Sequence, residues 1–186
     1  MTPLVRAVGR ALFGDYELYA IYAIDTAPGR GPVGDTPGQA MFVPLNGPEQ
    51  LPAELAEVAA YAGPEAALFG LRVGKDYVAA CVFQWGRRYA RERGFIPLAD
   101  GEAKLVQITT APAARGQGAA RTLIAAASSA MAQRGFVRLY ARVWRGHKAS
   151  QKAFVAAGWE HCAWVVGLRI LNIAPRLRLT FGRLRP

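Results

Sequence analysis

Cysteine and histidine are scarce, with two of each in 186 residues. Cys81 and Cys162 sit in apolar stretches without CxxC or Cys/His spacing. They are therefore expected to be buried reduced thiols, and neither a disulfide framework nor a metal site is expected. Lysine is nearly as rare. Only Lys75, Lys104, Lys148 and Lys152 occur, so the net charge of +10 rests almost wholly on arginine. Long apolar runs are missing as well. The longest uncharged stretch in a helical pattern is Thr122 to Gln133, short of the roughly 18 residues that a membrane-spanning helix needs. Near the N-terminus Arg6 and Arg10 interrupt the apolar pattern, which leaves no h-region for a secretory signal. The cytoplasm is the expected location.

What is present is a globular composition, with 52% apolar and 19% charged residues. A chain of this length buries a core of its own, so a single domain spanning residues 1–186 is expected. The excess of arginine calls for an anionic partner. The phosphates of coenzyme A, nucleic acid, sugar nucleotides and acidic lipid all qualify.

Thr2 and Pro3 can cap and open a short helix carrying Leu4, Val5, Val8, Ala11 and Leu12. Residues 16–24, YELYAIYAI, read as a strand, and the Gly/Pro-dense stretch from Thr26 to Gln39 as a long loop. That loop contains GRGPVGDTPG but no Gly-Lys-Ser/Thr, so it is not a phosphate-binding P-loop. Pro52 opens a helix through Tyr61 with Leu55, Val58 and Ala59 on one face. Strands at Ala66–Val73 and Tyr77–Gln84 join as a hairpin at Gly74-Lys75-Asp76. GRRYARERG is a basic patch with Arg87, Arg88, Arg91 and Arg93 against Glu92 alone. Then follow a strand at 103–110, an amphipathic helix from Gly118 to Gly135, a strand at 136–144, a helix at 147–157 and a strand at 158–171. This alternation predicts a mixed sheet flanked by helices.

The segment QITTAPAARGQGAARTLI runs from a strand through Pro112 into Arg115-Gly116-Gln117-Gly118-Ala119-Ala120 and directly into the amphipathic helix. A helix start offers unpaired N–H groups and a partial positive charge, and small residues let an anion approach the main chain. A pyrophosphate suits such a place. The third glycine of the dinucleotide fingerprint is absent, which argues against a Rossmann site.

The segment resembles the GNAT superfamily of acetyl-CoA-dependent N-acetyltransferases, whose Arg/Gln-x-x-Gly-x-Gly/Ala motif is filled by Arg115, Gly118 and Ala120. A second segment, HKASQKAFVAAGW, is similar to the family's other signature through His147, Ser150, Phe154 and Gly158-Trp159. The resemblance covers about residues 76–170.

It implies an α+β fold with a mainly antiparallel mixed sheet and a V-shaped splay between its two central strands. Residues 1–100 would form the acceptor side, and residues 103–160 would carry the cofactor motifs. Acetyl-CoA would be bound as cosubstrate, with no metal. The strand at Ile108, Thr109 and Thr110 would pair with the pantetheine arm. Gly116, Gln117, Gly118, Ala119, Ala120 and Arg121 would hold the pyrophosphate with Arg115. His147, Ser150 and Phe154 would add contacts.

The acceptor would be a small amine, an amino sugar or a protein amine. Phe154 stands where the family often has a tyrosine that protonates the leaving thiolate, so Tyr140 becomes the substitute acid. By the same analogy Glu102 is the candidate base, with Asp100 second.

A monomer or homodimer is expected. The alternative is a catalytically weak basic binding module for nucleic acid, ribosome or membrane surface, although no zinc finger, RRM or helix-turn-helix pattern supports a nucleic-acid reader. From Ala163 to Pro186 there are five arginines and no acid, and Arg176, Arg178 and Thr180 alternate with Leu177, Leu179 and Phe181. Two readings of this strand pattern stay open: a protected edge strand, or peripheral contact with an anionic inner-membrane surface.

Overall fold

The computed structural model describes residues 16–26, 40–168 and 177–184. The helix expected at Leu4–Leu12 and most of the Gly/Pro loop lie outside these residues. Eight strands form one sheet: β1 (Tyr16–Asp25), β2 (Ala40–Leu45), β3 (Ala66–Val73), β4 (Asp76–Gln84), β5 (Glu102–Thr110), β6 (Arg138–Trp144), β7 (Glu160–Leu168) and β8 (Leu177–Gly182). Their order across the sheet is β2-β3-β4-β5-β6-β1-β7-β8. All neighbours are antiparallel except β5 and β6, which run parallel. The fold is therefore α+β, a mixed and mainly antiparallel sheet. The hairpin between β3 and β4 turns at Gly74 and Lys75, with Val73 opposite Asp76 and Gly74 in the left-handed region at φ 60°.

Among the described residues three α-helices flank the sheet, α1 (Gly86–Glu92), α2 (Ala119–Gln133) and α3 (Lys148–Ala156). In α2 the apolar stripe Leu123, Ile124, Ala127 and Met131 is fully buried in the core cluster that holds Phe69, Cys81, Phe83 and Leu105 of the sheet. Each large side chain buried there contributes roughly 1.5–3 kcal/mol. Both α2 and α3 end in Schellman motifs. Phe136 N–H donates to Met131 O and Gly135 N–H to Ala132 O, and Trp159 N–H likewise to Phe154 O and Gly158 N–H to Val155 O. The left-handed positions are Gly135 (φ 88°) and Gly158 (φ 85°), which a side chain would strain.

The opposite face is covered differently. Ala53–Tyr61 forms a 3-10 helix, in which residues three apart line up. Leu55 and Val58 are buried and Tyr61 is half-buried, all packed with Leu68, Ala80 and Val82. The sequence pattern predicts an α-helix here with Ala59 on the buried side. The tighter winding turns Ala59 partly out.

The basic patch GRRYARERG also folds, as α1. Tyr89 is buried and its hydroxyl accepts from Ile96 N–H at 3.1 Å. Arg88 donates to Ala62 O at 3.0 Å and pairs with Glu92, and Arg93 stacks on Tyr61 with 4.4 Å to the ring centroid. These two arginines therefore serve the fold. Beyond α1, Phe95 and Ile96 pack with Ile21, Tyr140, Ala163 and Val165.

Candidate active site

β5 and β6 part company soon after they meet. Their parallel register runs from Glu102 opposite Arg138 to Leu105 opposite Ala141, and no pairing follows. On its other side β5 stays paired with β4 as far as Thr110 opposite Ala79. Between Gln107 and Leu105 that register slips by one residue, a bulge at Val106. The backbone edge of β5 that faced β6 is thus left open from Val106 onward. Buried backbone groups need partners, so this edge is suited to a ligand bearing amides.

The open edge leads into a groove of about 750 Å³. Ile108, Thr109 and Thr110 form one wall, Arg115, Gly116, Gly118, Ala119, Ala120 and Arg121 its end, and His147, Ser150 and Lys152 of the α3 segment the other wall. Gly118 is the N-cap of α2 with φ 82°, no side chain caps the helix, and its first turn contains no acid. Nothing lies within 4 Å of where a Cβ at Gly116 or Gly118 would stand. The helix therefore presents bare N–H donors to open space, flanked by exposed Arg115 and Arg121. Arg115 is braced by donating from Nε to Thr110 O at 3.3 Å.

The profile of the acetyltransferase (GNAT) family matches residues 46–159, well over half of the chain. This chain belongs to the GNAT acetyltransferase family. The fold of GNAT structures agrees. A GNAT-family protein from Novosphingobium aromaticivorans superposes with a TM-score of 0.58 at 18% identity, covering 84% of this chain and 65% of that one. A GNAT-family acetyltransferase from Colwellia psychrerythraea gives 0.55 at 19% identity, with 90% and 62% covered. A GCN5-related N-acetyltransferase from Sphaerobacter thermophilus gives 0.60 at 14% identity, with 95% and 58% covered. The chain thus spans less than two thirds of the length of each of these structures. No curated protein matches it.

Two residues of the expected GNAT cofactor set stand apart from the groove. Gln117 lines a neighbouring cavity of about 920 Å³ together with Ala113 and Ala114, and its amide donates to Ala113 O at 2.8 Å. Phe154 is 1% exposed, stacks on Tyr22 with centroids 5.8 Å apart and meets Trp159 edge-on at 5.1 Å. It is a core residue that does not line the groove. One groove cation escaped the sequence reading. Lys152 lies two residues after Ser150 on α3, and only the docking of that helix reveals which way it faces.

The two expected catalytic residues meet each other, away from the groove. Glu102 is 8% exposed, accepts Ala99 N–H at 2.7 Å and lies 3.3 Å from the Tyr140 hydroxyl. Tyr140 is 1% exposed and also donates to Leu184 O at 3.1 Å. Both lie on the paired side of the split, in or beside the Phe95–Ile96 core, and the side chain of Tyr140 is stacked under Arg138. Direct contact with a substrate in the groove does not fit this burial. Asp100 is exposed at the turn before β5.

A buried lysine stands beside the split. Lys104 is 4% exposed, opposite Tyr140 on β6 and Gln84 on β4, with its ammonium 5.8 Å from the Tyr89 ring centroid. Desolvation, and then the charges of Arg142 and Arg93, bring its pKa down to about 7. The amide of Gln84 donates to Tyr61 O at 2.9 Å while its Oε1 is buried without a partner. Sequence gave no warning of Lys104, because alternation on a buried strand normally puts an apolar residue there. Among the described residues no three His, Cys, Asp or Glu side chains are grouped to hold a metal, and no helix is long and apolar enough to cross a membrane.

Proposed function

We propose that this protein is an N-acetyltransferase that moves the acetyl group of acetyl-CoA to a primary amine of a small molecule, an amino sugar or a protein. The observation that carries this reading is the continuous path from the open β5 edge to the uncapped N-terminus of α2 through one groove. In this reading the amides of Ile108 to Thr110 pair with the pantetheine arm. The N–H groups of Gly118 to Arg121 hold the pyrophosphate with Arg115 and Arg121, and Lys152 and Ser150 contact the phosphates from α3. The thioester then reaches the split near Val106, where free backbone N–H groups polarise its carbonyl.

The acceptor nitrogen attacks that carbonyl in its neutral form. A C–N bond forms, the C–S bond breaks, one proton leaves the nitrogen, and the thiolate takes up a proton from solvent. Phe154 donates nothing to this step. Glu102 and Tyr140 serve as positioning residues that lock the paired ends of β5 and β6, so that the split opens at a fixed residue.

Calorimetric titration with acetyl-CoA tests the reading. Saturable binding at micromolar concentration, weakened by Arg115→Ala, is expected, whereas a chain that binds no acetyl-CoA overturns the proposal.

A further inference from the structure

The sheet face opposite α2 and α3 carries a second concentration of charge that the cofactor groove does not use. Arg142 follows Ala141, the last β6 residue paired with β5. Its guanidinium lies 4.4 Å from the Tyr19 ring centroid and 4.2 Å from that of Phe95. Arg178 of β8 lies over the same Phe95 ring at 4.9 Å. Arg142 and Arg93 are near enough to help burial lower the pKa of Lys104, and burial raises that of the Tyr89 hydroxyl, with Arg142 and Arg178 near enough to counter part of the rise. Three cations from β5, β6 and β8 therefore lie over two aromatic rings, Tyr89 and Phe95.

The ion pairs among the described residues are Arg88 and Arg91 with Glu92, and Arg138 with Asp25; none involves Lys104, Arg93, Arg142 or Arg178. Of the carboxylates on this face, Glu102 on β5 is turned to Ala99 and Tyr140, and Glu17 on β1 stands opposite Gly167, the β7 residue that pairs with Arg178. Like charges gathered in one place cost stability, and aromatic stacking fixes the guanidinium planes while leaving their N–H forks accessible. Such forks match an oxyanion in two-point fashion.

Position assigns the cluster a use. Lys104 and Arg142 flank the point where β5 and β6 separate, one on each strand, and the cofactor groove lies with α2 and α3 on the other side of the sheet. Resting on the acyl-transfer reading above, we infer that the acceptor is an amine bearing an anionic oxyacid group, carboxylate or phosphate, which Arg142 and Arg178 hold on this face while its nitrogen reaches the split. Lys104 adds charge at the inner end. The anion offsets the gathered positive charge, and the aromatic floor of Tyr89 and Phe95 keeps water from competing for it.

Two measurements test this. Release of free coenzyme A thiol is followed with three amines of similar size: 2-aminoethyl phosphate, 4-aminobutanoate and uncharged 2-methoxyethylamine. At least one anionic amine should exceed the uncharged one tenfold or more in kcat/KM, and the preferred arm tells phosphate from carboxylate. The Arg142→Gln/Arg178→Gln double variant should lose that preference with its KM for acetyl-CoA unchanged.

Independently of turnover, the Lys104 side-chain amine is titrated by nitrogen NMR with and without each anionic amine. The groups facing it are Tyr89 and Arg93 from the α1 segment, Glu102 on its own strand, Tyr140 and Arg142 on β6, Gln84 on β4 and Arg178 on β8. A bound anion should raise the Lys104 midpoint in the wild type and not in the double variant. Equal use of the uncharged amine, or a preference that survives in the double variant, overturns the inference. So does a Lys104 midpoint that no anionic amine moves. Loss of acetyl-CoA binding with the Lys104 response retained would instead sink the acyl-transfer reading and leave the anion site standing.

Discussion

Replacing Lys104 by methionine should stabilise the protein, and the gain should shrink as pH rises. Burial, assisted by Arg142 and Arg93, brings the lysine pKa from an ordinary 10.5 down to about 7 in the folded state. Between these values the unfolded chain holds one proton more than the folded one, so stability rises with pH across that window. Below it both states are protonated and the whole cost is present. At about 1.4 kcal/mol per pH unit the separation corresponds to roughly 5 kcal/mol. Relaxation and water penetration trim this, leaving a gain of about 3–5 kcal/mol near pH 6. Near pH 10 the gain should fall to about 1 kcal/mol or less.

Methionine matches the length of the lysine stem, so no large cavity confuses the result. The assay is urea unfolding of wild type and Lys104→Met at about pH 6, 8 and 10, followed by circular dichroism. All other titrating groups are common to both proteins and cancel in the difference. A stability difference that does not change with pH would mean that Lys104 carries no unusual charge cost in the fold, and the argument from burial would fail.

The groove and the buried residues beside it supply four further tests. Gly118→Val forces a β-branched residue to φ 82° and points it into the groove, so coenzyme A affinity should drop at least tenfold in calorimetry, with loss of stability of about 1–2 kcal/mol. Arg115→Ala removes a charge-assisted contact worth roughly 1.5–3 kcal/mol, about ten- to hundredfold in Kd, with little effect on the melting temperature of the free protein. Phe154→Tyr buries a hydroxyl against Tyr22 and Trp159 and should cost about 1–3 kcal/mol without raising turnover; a faster enzyme would place that ring at the reaction after all. Tyr140→Phe should lower stability by about 1–2 kcal/mol while leaving the pH profile of turnover in place, and a displaced profile would restore Tyr140 as an acid.

Much of this protein was written in local pattern. The Arg115–Ala120 run before an apolar stripe at Leu123, Ile124, Ala127 and Met131 announced the helix and its bare N-terminus. Gly135 and Gly158 announced its end and that of α3, since backbone N–H groups and φ angles are dictated by a few consecutive residues. The alternating residues of β8 and the hairpin at Gly74 were legible for the same reason.

Other features depended on contacts between distant segments. That β1 lies between β6 and β7, that β5 and β6 separate after Leu105, and that Ala53–Tyr61 tightens to a 3-10 helix all follow from packing that no window of sequence contains. GRRYARERG read only as a basic patch because its one buried side chain, Tyr89, is outnumbered by arginines, two of which, Arg88 and Arg93, find partners at Ala62 and Tyr61 on another segment. Glu102 and Tyr140 were singled out by type and position, yet burial against Leu184 and Ala99 turned them toward the fold. Lys104 gave the reverse lesson: an ordinary lysine in a strand acquired its unusual proton affinity only when Tyr89, Arg93 and Arg142 closed around it, because desolvation and charge act through space rather than along the chain.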